Sequence, residues 1–162
     1  MTKADFFNKA MPAALASGHL FPEYAVCEAA LESGWSKSEL ATAANNLFGM
    51  KQGFVTAGLP TIDIPTREFL HGAWVTVNAT WPKFDSWEAS FRARMELLRR
   101  SPLYAKALVA GDGETFIREV SRVWATDPAR AANVLATYRA NLQLIANAKV
   151  LAGAAKAAGA GA

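Results

Sequence analysis

A mostly helical α+β fold with one small β-hairpin is predicted by three observations. Apolar residues recur three and four apart on both sides of the chain's middle, as at Tyr24, Cys27, Ala30 and Leu31. That spacing keeps one helix face apolar. Residues 45–85 break the period: Gly49, Gly53, Gly58, Pro60, Pro65, Gly72 and Pro82 punctuate them, with β-branched and aromatic residues between. Within this segment, residues 66–70 and 73–79 flank His71-Gly72. That is a hairpin signal in which the glycine supplies the positive φ of the turn.

The elements follow in order. A first helix is expected over residues 3–15, with Thr2 as its N-cap. Ala16-Ser17-Gly18-His19 breaks it. Pro22 suits the first position of a second helix, which Gly34 closes. A short helix over residues 37–44 follows, capped by Ser36. Asp85 and Glu88 have the spacing of a capping box, and a helix runs from there to about residue 100. Pro102 opens a short helix that ends near Gly111, and residues 114–124 form another. Asp127 caps a helix opened by Pro128 that runs to the late 140s or beyond. Residues 152–162 contain only Ala, Gly and one Lys, a composition expected to form frayed helix or a flexible end. The organisation read from this pass is one domain over residues 1–150 and a tail over 151–162.

Composition narrows the function. The 162 residues are 52% hydrophobic and 19% charged, which suits one packed core and not a disordered chain. No apolar run approaches the roughly 18 residues of a membrane helix. The net charge of +3 mildly favours anionic polymers, but no cluster of Lys and Arg and no nucleic-acid motif is present. The single cysteine, Cys27, lies in an apolar helical run and reads as a small core residue. His19 and His71 have no paired spacing, so no metal site is expected. Asp5 interrupts the N-terminal segment, which therefore does not read as a Sec signal.

Two carboxylates attract attention. Glu32 ends the apolar run and is followed by Ser33-Gly34-Trp35. A helix C-terminus disfavours negative charge, and apolar neighbours such as Leu31 and Trp35 disfavour it further. Such an acid is expected to hold its proton beside an opening, as a general acid must. A solvated helix-end glutamate fits the same pattern. Glu68, in Pro65-Thr66-Arg67-Glu68-Phe69, is either a strand residue facing water or a second carboxylate facing a cleft.

The segments Ala29-Ala30-Leu31-Glu32-Ser33-Gly34-Trp35 and Asn45-Asn46-Leu47-Phe48-Gly49-Met50-Lys51 together resemble the glucosaminidase-type peptidoglycan hydrolases of glycoside hydrolase family seventy-three. That group includes the hydrolase domain of flagellar rod proteins and several autolysins. The resemblance spans about residues 21–138. It implies a lysozyme-like α+β domain whose small β-hairpin lobe borders the cleft. It implies Glu32 as general acid and Glu68, in the family's Thr-x-Glu element, as base or electrostatic stabiliser. Trp124 stands where the family's Tyr-Ala-Thr-Asp-Pro has tyrosine. The indole keeps a stacking face but cannot accept a hydrogen bond or act as an acid. Asp127 reads as a helix cap. The Asn45–Lys51 block reads as chiefly structural, with Asn46 touching sugar. Trp35, Trp74 and Trp81 are candidate stacking surfaces, the last two because the hairpin should border the cleft.

The resemblance further implies cleavage of the β-1,4 bond of the peptidoglycan glycan strand after N-acetylglucosamine. No metal or organic cofactor, nucleic acid or membrane insertion is implied, and a monomer is expected. Action at the cell wall or periplasm is expected, the export route being open between phage lysis, specialised secretion and a signal missing from these residues. An immunity protein is expected if the chain is a secreted effector. Rival readings are an N-acetylmuramidase or lytic transglycosylase of similar fold, and a non-catalytic wall-binding or phage structural module. Glu32 and Glu68 speak against the last; Trp124 speaks mildly for it.

Overall fold

The computed structural model describes residues 1–70 and 73–159, with the side chains of residues 66–70 and of Trp74 outside the described set. Helix α1 (Lys3–Ala16) starts at Thr2, whose hydroxyl accepts from the Asp5 amide while the Asp5 carboxylate accepts from the Thr2 amide. This reciprocal cap satisfies two otherwise unpaired donors. Phe6, Phe7, Ala10, Met11 and Ala14 form its fully buried stripe. It packs against α2 (Pro22–Glu32), α4 (Trp87–Arg100) and α8 (Leu142–Gly159). In α2, every residue from Ala25 to Ala30 is buried. Small side chains let neighbours close on the helix from several sides, and Glu28 is the one charged residue among them.

Beyond Glu32 the backbone turns left-handed at three successive residues: Gly34 (φ 58°), Trp35 (φ 59°) and Ser36 (φ 63°). The two that carry side chains each cost roughly 1–2 kcal/mol. Three contacts hold the turn. The Trp35 amide donates to the Ala30 carbonyl at 2.6 Å, the Ser36 amide donates to Ser33 Oγ at 2.9 Å, and the Trp35 ring meets Phe6 and Phe7 edge-on at 5.6 Å. This turn delays the next helix. Helix α3 spans Glu39–Ala44 with Ser38 as its cap, which corrects the expected start at residue 37 and cap at Ser36.

Strands β1 (Thr61–Leu70) and β2 (Ala73–Pro82) pair antiparallel, with Thr61 opposite Pro82 and Leu70 opposite Ala73. The hairpin is longer than expected because residues 61–65 pair as well. Pro65 cannot donate to the ladder but is tolerated in a two-stranded sheet, where both strands are edges. The expected turn at His71-Gly72 lies outside the described residues. The base of the hairpin is tied to the helices: the Phe84 amide donates to the Ala44 carbonyl at 2.8 Å, and Asn45 Nδ2 donates to the Phe84 carbonyl at 2.9 Å.

Helix α4 is capped by Ser86, whose Oγ accepts from the Ala89 amide at 3.1 Å. Asp85 is therefore not the cap, and Glu88 pairs with Arg92 instead. A 3-10 turn (Pro102–Tyr104) and α5 (Ala105–Leu108) lead to α6 (Gly113–Trp124), capped by Asp112. Asp127 does not cap a helix directly. Its Oδ1 accepts from the Ala129 amide at 2.8 Å in a tight turn, and α7 (Arg130–Ala140) begins after it. The single long helix expected here breaks at Asn141, whose Nδ2 donates to the Thr137 carbonyl at 2.7 Å. Helix α8 then packs along α1. Residues 151–159 continue α8, and 160–162 lie outside the described residues. No described helix is long and apolar enough to cross a membrane.

Candidate active site

Glu28 and Glu32 lie four residues apart on one face of α2. Glu28 is wholly buried, and its Oε1 accepts from Arg94 Nη2 at 2.9 Å and from Arg130 Nη2 at 2.8 Å. Arg130 also donates from Nε to Glu32 Oε1 at 2.9 Å and from Nη1 to Ser121 Oγ at 2.8 Å. Four helices thus meet at one ionic chain: α2 brings both acids, α4 and α7 the guanidiniums, and α6 the hydroxyl. Burial alone would push the Glu28 carboxyl up. The two guanidiniums outweigh it and hold the group below its ordinary value. Burial likewise opposes the charge on Arg130, but Glu28 and Glu32 more than restore it. The Arg94 guanidinium stacks on the Trp124 indole, 3.6 Å from its centroid.

The surroundings of Glu32 differ from those expected. Leu31 is 38% exposed, and Trp35 turns its ring to Phe6 and Phe7 on α1. The carboxylate meets Arg130 instead of an apolar shell, and its side chain stays 29% exposed. Trp35, expected on the sugar side, serves the helix C-terminus. Asn46 also differs from a sugar contact. It is 1% exposed; its Nδ2 donates to the Met50 carbonyl at 2.8 Å and its Oδ1 accepts from the Met50 amide at 2.9 Å. Both polar ends are spent on closing the loop. Cys27 is a core residue whose thiol burial pushes up to about 12, leaving it inert.

Trp124 is half-buried and forms the wall between two grooves. One, of about 360 Å³, runs between the loop at residues 49–55 and Leu97, Tyr104 and Trp124. The other, of about 730 Å³, follows α6 into α7, past Ser121, Arg122, Thr126 and Asp127. Phe54, 51% exposed, stands on the rim of the first, backed by Arg100 at 4.8 Å. Trp81 borders a separate hollow of about 260 Å³ with Glu39, Leu40 and Pro65. In the backbone register Glu68 stands opposite Val75 and Trp74 opposite Phe69; the side chains of Glu68 and Trp74 lie outside the described residues.

Sequence reasoning missed Glu28, Arg94 and Arg130. One signal was available: a glutamate inside an otherwise apolar stretch must find cationic partners if that stretch is buried. Which of the chain's arginines answer it is settled only by tertiary packing.

The family described as mannosyl-glycoprotein endo-β-N-acetylglucosaminidase matches residues 8–147. The peptidoglycan hydrolase FlgJ of Vibrio parahaemolyticus is 34% identical over 119 residues, covering 70% of this chain and 38% of that protein. A probable N-acetylmuramidase of Lactococcus lactis subsp. cremoris is 33% identical over 133 residues, covering 77% of this chain and 30% of that protein. The chain therefore spans about a third of the length of these curated relatives. The catalytic domain of the autolysin Auto from Listeria monocytogenes superposes with a TM-score of 0.75 at 25% identity, covering 93% of this chain and 89% of that one. Its fold is that of the lysozyme-like glycoside hydrolase domains, and the chain belongs to the glucosaminidase family.

Proposed function

We propose that this chain hydrolyses the β-1,4 bonds of the peptidoglycan glycan strand at the cell wall, as an endo-β-N-acetylglucosaminidase. The observation that carries the reading is the family match across residues 8–147, supported by similarity to relatives named as peptidoglycan hydrolases. Glu32 is the general acid. Breaking the bond requires a proton on the leaving oxygen while the anomeric carbon gains oxocarbenium character. Arg130 engages Oε1 of Glu32, so the other carboxyl oxygen can carry the proton toward the substrate while Oε1 still accepts from the guanidinium. Glu68 is the second carboxylate. It either activates water or, if the substrate's 2-acetamido oxygen attacks the anomeric carbon, stabilises the developing charge. Trp124 offers its indole face to a sugar ring in the groove it walls.

Digestion of purified peptidoglycan followed by mass spectrometry of the released glycans tests the reading. Reducing-end N-acetylglucosamine is expected. Reducing-end N-acetylmuramic acid would favour the muramidase reading suggested by the name of the lactococcal relative, and anhydro ends a lytic transglycosylase. Release of nothing by the wild-type chain overturns the proposal. Glu32→Gln, nearly isosteric but unable to transfer a proton, should lower the rate by about 10²–10⁴. A variant that keeps more than about a tenth of the wild-type rate removes Glu32 from the acid role.

A further inference from the structure

We propose that Arg130 is the positioning residue that fixes the Glu32 carboxyl for proton transfer, an inference that rests on the hydrolase reading above. Glu32 has a flexible side chain that is 29% exposed, and Arg130 is the cation the structure pairs with it. Arg130 itself is held in place. Its side chain is 7% exposed, and all three guanidinium nitrogens are engaged: Nε by Glu32, Nη1 by Ser121 Oγ and Nη2 by Glu28 Oε1. A planar guanidinium bound at three points transmits a fixed direction to each partner, which a lysine ammonium does not. Glu28 supplies the anchor, because it is wholly buried and gripped by Arg94 as well. The orientation of the solvent-facing acid is thus set from the core, through α7, by a residue too buried to serve as a sugar contact. Proton transfer is sensitive to such placement; a misplacement of about 1 Å can cost about 10²-fold.

Glu28 accepts from both Arg94 and Arg130, and Arg130 links it to Glu32. Removing the Arg130 charge leaves Glu28 paired with Arg94, and Glu32 has access to water. Arg130→Gln is therefore expected to fold, and thermal unfolding checks it. We expect kcat on peptidoglycan to fall about 10–100-fold with KM within about threefold. Arg130→Lys, which keeps the charge but loses the planar three-point grip, should recover part of the loss. Ser121→Ala removes one Arg130 anchor without changing charge and should show a smaller loss of kcat. A merely structural role would lower the unfolding temperature and leave kcat unchanged at temperatures where the variants are folded. Arg130→Gln with kcat within twofold of wild type overturns the inference. Should that variant fail to fold, wild-type kcat in both Arg130→Lys and Ser121→Ala overturns it equally. If the wild type releases nothing from peptidoglycan, the hydrolase reading falls and this inference with it. An inactive Glu32→Gln beside a fully active Arg130→Gln sinks the positioning role alone.

Discussion

The Arg94 guanidinium lies over Trp124, its Cζ 3.6 Å from the indole centroid, while its Nη2 donates to Glu28 at 2.9 Å. One aromatic ring therefore does two jobs. It covers a buried cation, and it also lines both grooves. A stacked guanidinium out of water gains about 2 kcal/mol from such a ring. The tryptophan at this position thus has a structural reason independent of any sugar.

Both jobs can be separated by substitution. Trp124→Phe keeps a flat ring over Arg94 and a face for a sugar, and should retain most activity. Trp124→Ala opens the buried charges to water and should lower stability by about 3 kcal/mol as well as activity. Trp124→Tyr adds a phenol that can donate and accept. A large gain in kcat there would show that a hydroxyl at this point assists the reaction, and little change that the indole suffices. Steady-state kinetics with thermal melts read out all three. A Trp124→Ala variant with wild-type kinetics and an unchanged melting temperature would contradict both roles.

Glu28 should matter to stability more than any exposed charge. Glu28→Gln leaves Arg94 wholly buried without a counter-charge, and breaking such a pair from one side costs about 3–5 kcal/mol. Adding Arg94→Met removes the stranded cation and leaves Arg130 paired with Glu32. The double variant should regain part of the loss, read as a higher urea midpoint than the single variant. Equal midpoints would mean that Arg94 and Glu28 are not energetically coupled.

The helices were legible wherever a local signal decides them. Thr2 caps α1, Pro22 opens α2, and the hairpin strands flank the residues read from punctuation. Reading failed where two adjacent residues competed for one role, as with Asp85 and Ser86, and where backbone geometry overrode propensity, as in the left-handed run through Trp35 and Ser36. Glu32 could be picked out from its neighbours in the chain. Its real environment could not, because Arg130 is 98 residues away and Arg94 is linked to it only through Glu28 and Arg130. The structural reading of the Asn45–Lys51 block fits Asn46, whose amide closes the loop with both ends; only the added sugar contact has no polar atom left to make it.

Acid should destabilise this domain in a window set by His19. The ring is 6% exposed, its Nδ1 accepts from the Phe21 amide at 3.4 Å, and it lies edge-on to Phe116. Burial pushes it down from 6.5 to about 4; nearby Glu28 opposes the shift, and Arg94 and Arg99 add to it. Between those values the unfolded chain binds the proton and the folded chain does not, so stability rises with pH there. The contribution is complete above about pH 6.5 and is lost as pH falls toward 4. At about 1.4 kcal/mol per unit, the loss from pH 7 to pH 5 is about 2 kcal/mol. Glu28, held below its ordinary value of 4.5, adds a further loss at lower pH, when its carboxylate must protonate against two guanidiniums. His19→Asn can keep an acceptor for the Phe21 amide but does not titrate. Urea unfolding at pH 7 and pH 5 should show a steep loss in the wild type and a much shallower one in the variant. Identical losses in the two proteins would show that His19 is not the group that senses acid.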